Sequence, residues 1–420
     1  MNVALLSGNF WEKKGGISTT LKNLYEKLTA LDIKIYLFDN SISKCSGYKI
    51  IYTRESFKKL LKQDIRFFIF LILLFIRILG INGLKLGEKL KLALFYCFYP
   101  VDLVNRVKSL KYLILYFKKF KVDVIFCISS SFLLIYGFIL SKFFRKPLIT
   151  LAHGEDFIKR YPNNINSMIF QNIEKVIVSN KIMRDLFLKI HAINDKKIDV
   201  VFRGVNIDQI YVDESKVELR KKFNFSVEDF IIITVSRIHP RKGIDTVIEA
   251  LKLIYDENLE MRIKYVIIGE GEEKRDLENL VRKLNLEQHV RFLGGINDKL
   301  RNQYYKLSDL FVLVPYIKKN SIEGFGIVFI EASYFKLPVI GARTGGVRIA
   351  VEDGKTGVLI NSGDALSLKK QILRIMMDQS YSRELGENGH KRVLKEVNWD
   401  KNALIYKRLI ENVAKNFYYK

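Results

Sequence analysis

Short apolar runs, each closed by a polar or Gly-containing turn and followed by a helical stripe, recur along nearly the whole chain. No other feature constrains the fold as strongly, because alternating strands and helices build parallel sheets covered by helices. The first series opens with Val3–Ser7, turns through Gly15 and Gly16, and continues into a stripe at Leu21, Leu24 and Leu28. Ile33, Ile35 and Leu37 alternate as the next strand, and Val122–Ile128, Leu148–Leu151 and Val176–Val178 extend the series. Ser179 stands where it can cap a helix over Lys181–Lys189. A second series runs through Phe230–Val235, Tyr265–Ile268, Val290–Leu293, Leu310–Val314 and Val339–Ile340. Helical segments such as Thr246–Tyr255 and Leu277–Leu284 separate these strands.

Two such series predict an α/β chain of two doubly wound, Rossmann-like domains, with a hinge between about Arg203 and Ser226. Ligands of such sheets bind beyond the carboxyl ends of the strands, so the cleft between the domains is the expected site.

Composition narrows the class. Hydrophobic residues at 49% and charged residues at 27% exclude a disordered chain. Cys45, Cys97 and Cys127 are isolated and odd in number, which argues against a disulfide framework or a zinc site and for a reducing compartment. The N-terminal Met1–Ser7 has no charged n-region and no cleavage signal, so it reads as a first strand rather than a secretory leader.

A net charge of +25 suits nucleic acid, an anionic membrane face or a phosphorylated small molecule, and equally a solvated lysine-rich surface. Phe67–Ile76 is uninterrupted apolar sequence between Arg66 and Arg77. It is too short to span a bilayer, which needs about 20 residues. Lys58, Lys59, Lys62, Lys85, Lys89, Lys91, Lys118, Lys119 and Lys121 lie around it in sequence. The stretch therefore reads as a buried helix or as an interfacial segment on an anionic lipid surface.

The segment Glu323–Glu331 is the richest in chemistry. Gly324 and Gly326 allow backbone to approach a ligand, and the amides of Gly324, Phe325, Gly326 and Ile327 fall at a helix N-terminus, where phosphate is favoured. Glu331, about a turn into that helix, can lean back to a ribose diol, and Glu323 can accept from sugar hydroxyls. After Phe230–Val235 come Arg237 and Lys242, which would project into the same crevice as a phosphate fork and a point charge. Gly269 and Gly271 mark a turn where backbone passes close to a ligand. The turn Gly294–Ile296 is apolar and open enough to flank a flat base.

In the order and spacing of these blocks the chain resembles the retaining glycosyltransferases of family 4, which have the GT-B fold. The resemblance runs over nearly its whole length. It rests on the E-x7-E segment Glu323–Glu331, the Arg237/Lys242 turn, and the closing run of Pro338–Ile340, Gly345, Gly346 and Gly354–Gly357. The resemblance implies that Arg237 and Lys242 bind the donor diphosphate and Glu331 the ribose. It assigns Glu323 and the amides of Gly324–Ile327 to sugar and phosphate, and Ile296 to the base. Gly15 and Gly16 resemble the family's glycine loop, and His153 its histidine beside the transferred sugar. By the same resemblance residues 1–203 bind the acceptor, 204–397 bind the nucleotide-sugar, and 398–420 form a helix returning to the first domain. Two positions depart from the family pattern: Ile349 stands where many relatives carry Glu, and Lys336 where they often carry Gly.

The expected activity is transfer of a sugar, with retention, from a nucleotide-diphosphate sugar to a glycan or lipid-linked acceptor of the cell envelope. The basic charge and the apolar stretch place it on the cytoplasmic face of a membrane. No D-x-D pair occurs in the chain, so neither a metal nor any other cofactor is expected. Three rivals stand beside this reading. An NAD-dependent oxidoreductase would need G-x-G-x-x-G after the first strand, where this chain has Asn9-Phe10-Trp11. A non-catalytic nucleic-acid-binding protein would show binding that collapses with salt, and the preferred reading has no nucleic-acid partner. An epimerase of the same fold would form product without an acceptor.

Overall fold

A computed structural model of the chain describes residues 1–7, 16–39, 113–115, 117–128, 132–152, 165–258, 260–316 and 323–419. The chain divides into two compact units, Met1–Val201 with Ala403–Lys420, and Phe202–Asn402. Gly15, His153, Cys45, Cys97 and the stretch Phe67–Ile76 lie outside the described residues.

Unit 1 carries a six-stranded parallel sheet in the order β2-β1-β3-β4-β5-β6. Its strands are β1 (Asn2–Ser7), β2 (Lys34–Asp39), β3 (Val124–Cys127), β4 (Leu148–Leu151), β5 (Lys175–Val178) and β6 (Ile198–Val200). Helices α1 (Gly16–Ala30), α2 (Phe132–Phe144), α3 (Ile165–Gln171) and α4 (Lys181–His191) accompany it. Leu21, Leu24 and Leu28 of α1 are all buried, as their helical spacing requires. The cap of α4 is Asn180 and not Ser179: the Asn180 carboxamide oxygen accepts from the Met183 amide at 2.9 Å. The residue immediately before the first helical position takes the cap, and both residue types are competent for it. Cys127 is buried in the core, and its burial pushes the thiol far above its ordinary range.

Unit 2 repeats the plan with β7 (Phe230–Val235), β8 (Ile263–Ile268), β9 (Val290–Gly294), β10 (Leu310–Leu313), β11 (Val339–Ala342) and β12 (Val358–Ile360). Its helices are α5 (Lys216–Lys222), α6 (Ile244–Glu257), α7 (Lys274–Lys283), α8 (Asp298–Leu307), α9 (Ile327–Tyr334), α10 (Val347–Ala350), α11 (Ala365–Met377) and α12 (Gln379–Glu396). The strand order is β12-β11-β10-β7-β8-β9, all parallel. Side chains of β7 alternate between two cores: Ile232 joins one, while Ile231, Ile233 and Val235 join the other. A strand buried on both faces has no polar face to show, which is why its sequence is continuous rather than alternating.

The last helix, α13 (Trp399–Tyr418), begins in unit 2, and its residues from Ala403 onward belong to unit 1. There Lys407 donates to the Leu31 carbonyl at 3.0 Å and the Tyr418 hydroxyl to the Asp123 carbonyl at 3.0 Å. Among the described residues no helix is long and apolar enough to cross a membrane.

Candidate functional site

The sheet of unit 2 grows outward in both directions from β7 and β10, which are adjacent although α6, β8, α7, β9 and α8 lie between them in sequence. That pair is the topological switch point, where the loops leaving the carboxyl ends diverge and open a crevice. The loop after β7 carries Arg237, Arg241 and Lys242, and the segment after β10 carries Glu323.

Two backbone contacts seat these loops. Lys242 ends the 3-10 turn Pro240–Lys242, and Gly243 follows in the left-handed region at φ +67°. A Cβ at Gly243 would lie 2.1 Å from the Val314 carbonyl oxygen, so only glycine lets this loop rest on the exit of β10. The main chain of Arg241 is held on both sides: its amide donates to His239 Nδ1 at 3.1 Å, and its carbonyl accepts from the Tyr316 amide at 2.8 Å. On the other loop, the Gly346 amide donates to the Glu323 carbonyl at 2.8 Å. A Cβ at Gly346 would stand 2.1 Å from the Gly324 oxygen.

The outcome is a buried charge cluster. Glu323 Oε2 accepts from Lys242 Nζ at 2.6 Å and from Arg241 Nη1 at 3.0 Å. The side chains of Glu323, Lys242 and Arg241 are 15%, 11% and 6% exposed. Burial alone would push the Glu323 carboxyl up, but the attraction and hydrogen bonds of Lys242 and Arg241 prevail and hold it at about 2. Lys242 and Arg241 thus share one carboxylate oxygen, largely out of bulk water.

Beyond Glu323 the chain enters α9, with Gly326 in the left-handed region at its N-cap. Glu331 lies on the helix, 8% exposed, and its Oε2 accepts from the Tyr305 hydroxyl at 3.0 Å. Arg301 Nη2 stands 3.7 Å from Glu331 Oε1. Burial, then the Glu331 charge, raise the Tyr305 phenol well above its ordinary range, so it stays a donor to that carboxylate. Both holding residues come from α8.

The expected site residues are thus distributed as follows. Lys242 and Glu323 meet directly, and Glu331 follows on the helix that Gly324 and Gly326 introduce. Arg237 is exposed two residues past β7. Phe325 turns its ring into the core, 1% exposed and 6.2 Å from the Phe202 ring, so its side chain is part of the packing beneath the loop. Gly269 and Gly271 do pass close to a backbone, but it is the chain's own: a Cβ at either would lie 1.8 Å from the Ser236 or Ile238 carbonyl oxygen. Their close approach packs the β8 turn onto the β7 loop. The β9 turn is less apolar than its sequence suggests, because Glu270 Oε1 accepts from the Gly295 amide at 3.1 Å, and half-buried Ile296 packs on the core. Gly16 opens α1 after β1 in unit 1. Arg241, Tyr305 and Arg301 were not singled out by sequence reasoning. Arg241 lay inside the quoted turn, yet no periodicity marks it. Among the described residues no group of three His, Cys, Asp or Glu is arranged as a metal site.

Comparison with known proteins identifies the family and the fold. Residues 215–392 match the family described as glycosyl transferases group 1, and residues 14–209 match glycosyltransferase family 4. The chain is 23% identical to the alpha-monoglucosyldiacylglycerol synthase of Acholeplasma laidlawii, over 98% of each chain. It is 26% identical to the N-acetyl-alpha-D-glucosaminyl L-malate synthase of Bacillus anthracis, over 65% of this chain and 69% of that one. Among solved structures, Anabaena Alr3699/HepE in complex with UDP and glucose superposes with a TM-score of 0.71 at 19% identity, over 98% of this chain and all of the other. Sucrose-phosphate synthase from Thermosynechococcus elongatus gives 0.71 at 21% identity, over 98% of both.

Proposed function

The chain belongs to the family 4 glycosyltransferases, with their GT-B fold, and on that footing we propose that it transfers a sugar from a nucleotide-diphosphate sugar held by unit 2 to a glycan or lipid-linked acceptor held by unit 1. The observation that carries the donor assignment is the buried Lys242–Glu323–Arg241 cluster at the switch point of the unit 2 sheet. A crevice bordered by Arg237, Lys242 and the first turn of α9 suits a diphosphate.

In this reading Lys242 and exposed Arg237 neutralise the diphosphate as the glycosyl–phosphate bond breaks and negative charge gathers on the leaving group. Preorganised cations act most strongly there, because they need not reorganise as the charge develops. The amides of Gly324–Ile327 add their dipoles, Glu323 accepts from hydroxyls of the transferred sugar, and Glu331 accepts from the ribose. Gly269, Gly271 and Ile296 border the base and phosphates. By the family resemblance, Gly15 and Gly16 are assigned to the donor phosphate and His153 to the transferred sugar. The reaction proceeds with retention, a leaving phosphate oxygen assisting the acceptor hydroxyl on the same face. No metal ion is needed, since Arg237, Lys242 and the helix start neutralise the charge it would otherwise carry. The surplus of Lys and Arg fits a cytoplasmic protein attached peripherally to the inner, anionic face of the cell membrane, in synthesis of envelope polysaccharide or glycolipid. The Acholeplasma relative is named for the synthesis of a glycolipid, which supports an acceptor of that class.

A panel of UDP-, GDP- and ADP-sugars, followed by thermal unfolding, tests the donor assignment. A donor at about 100 times its dissociation constant stabilises the protein by about 2.7 kcal/mol. Absence of stabilisation by every member of the panel at millimolar concentration would remove the donor site.

A further inference from the structure

We infer that the Tyr305 hydroxyl is a positioning group for the nucleotide: it holds one oxygen of Glu331 and keeps the carboxylate off Arg301, so that the other oxygen stays open to a ribose hydroxyl. The inference rests on the donor reading given above, in which Glu331 meets the ribose. The two neighbours of that carboxylate carry it.

Glu331 is not sealed in the core, since its side chain is 10% exposed. Its Oε2 accepts from the Tyr305 hydroxyl at 3.0 Å. Among the described residues no hydrogen bond reaches Oε1, and Arg301 Nη2 stands 3.7 Å from it. A charge-assisted N–H···O bond closes to about 2.7–2.9 Å, so this pair attracts without bonding. Arg301 also keeps a donor in reserve, because its Nε is buried with no hydrogen-bond partner among the described residues. Nε and Nη2 together make the planar fork that a carboxylate fits. The gap is held from both ends. The Tyr305 ring is buried, stacked 5.7 Å from the Phe335 ring and 6.2 Å from the Phe311 ring, which fixes where its hydroxyl stands. Arg301 Nη1 donates at 2.8 Å to Asp298 Oδ1, one turn earlier on α8.

The carboxylate is thus oriented by a neutral donor and faced by a cation that does not occupy its second oxygen. An ionised acceptor with one oxygen unspent is what a ribose hydroxyl, a donor, requires. Without the Tyr305 hydroxyl, Oε2 loses its donor in a largely buried place, and Arg301 is the group at hand to replace it. The carboxylate then turns onto the Nε and Nη2 fork and spends both oxygens there, so an arriving ribose finds it already engaged. Tyr305 touches no substrate in this arrangement, and it acts through Glu331.

Tyr305→Phe keeps the buried ring and removes only the hydroxyl. The full-length variant, confirmed folded by circular dichroism, is titrated by calorimetry with UDP, GDP and ADP, each beside its 2′,3′-dideoxy counterpart. The quantity compared is the preference for the ribonucleotide over the dideoxynucleotide, for whichever base binds. Wild type is expected to prefer the ribonucleotide by at least about tenfold, as befits a hydrogen bond to a charged group. Tyr305→Phe is expected to lose at least about fivefold of that preference while binding the dideoxynucleotide within about twofold of wild type. A merely structural defect weakens both ligands in parallel and leaves the preference unchanged, and that outcome overturns the inference. So does a Tyr305→Phe variant that binds both ligands as wild type does. Glu331→Gln, measured alongside, separates the two levels. If it abolishes the ribose preference while Tyr305→Phe keeps it, only the role of Tyr305 falls. If wild type shows no ribose preference, or Glu331→Gln retains it, the ribose assignment of Glu331 falls and the inference with it. If none of the nucleotides binds, the donor reading itself falls.

Discussion

Replacing Glu323 by Gln keeps the side chain's shape and one acceptor oxygen but removes its charge, leaving Lys242 and Arg241 buried without their carboxylate. The size of the effect follows from the carboxyl's ionisation. A group that titrates at about 2 in the folded chain and at its ordinary 4.5 when unfolded contributes about 3 kcal/mol at neutral pH. The cost of breaking a buried ion pair from one side, about 3–5 kcal/mol, gives the same scale independently. The sign with pH is fixed by the direction of the shift. Between 4.5 and about 2 the unfolded chain binds the proton and the folded chain does not, so this contribution is complete above 4.5 and disappears as pH falls through about 2. Glu323→Gln has no such group, so the difference between the two proteins should shrink on acidification. Trp399 lies in unit 2 and is buried, so a Trp11→Phe background leaves a single fluorescent reporter of that unit's unfolding. Urea unfolding followed at this residue should show Glu323→Gln weaker by about 3 kcal/mol near pH 7 and by clearly less near pH 3. A difference below about 0.5 kcal/mol at neutral pH, the range of an ordinary surface substitution, would refute the buried-cluster energetics, as would a difference independent of pH.

Arg237→Ala and Lys242→Ala should each lower turnover by roughly 10²–10³-fold in steady-state assays of the folded variants, the loss expected when one fixed donor to a developing anion is removed; rates within a few-fold of wild type would count against the diphosphate assignment. Activity should survive EDTA, and complete loss restored by Mg²⁺ or Mn²⁺ would show a metal-held diphosphate. Lys336→Gly should raise the melting temperature, because Lys336 sits at φ +61° in the left-handed region, whose relief less the added chain entropy is worth up to about 1 kcal/mol. Lys336→Ala keeps the strain and loses the contact with Glu387, so a glycine variant no more stable than the alanine variant would contradict this account. Co-sedimentation should occur with anionic and not zwitterionic vesicles and weaken with salt, and no binding to either would leave the basic charge as a solvated surface.

How much of this was legible in the sequence depends on how local the cause was. Leu148–Leu151 and Phe230–Val235 were read with their observed bounds, because central parallel strands carry apolar side chains on both faces and their turns end them sharply. The three-residue strands Ile198–Val200 and Val358–Ile360, at sheet edges, were missed. So few residues make no period, and pairing with a neighbour alone defines them. Tertiary pairing hid Arg241 in the same way. It follows Pro240 in a turn of basic residues, where sequence gives a surface expectation, and Glu323, 82 positions later, helps make its burial tolerable. Tyr305 and Arg301 hold Glu331 from another helix, and the spacing between them carries no signal.

The glycines teach a related lesson about reading sites from composition. Gly269 and Gly271 looked like ligand glycines, yet each is required by a carbonyl of the β7 loop. Gly243, directly after Lys242, was given no expected role and Gly346 stood only within the closing run, yet they are the residues that let the Lys242 and Glu323 loops descend onto β10 and onto Gly324. A bare Cα that admits the chain's own backbone cannot be told by sequence from one that admits a phosphate, because both need the same missing Cβ. The distinction comes from what lies opposite. Opposite these glycines lies main chain, and this packing brings the loop ends together at the switch point. There, Lys242 and Arg241 are held on the Glu323 carboxylate. The main-chain contacts therefore come first in the causal order: they fix the loops, the loops fix the charged side chains, and those side chains set the chemistry of the ligand the crevice can take.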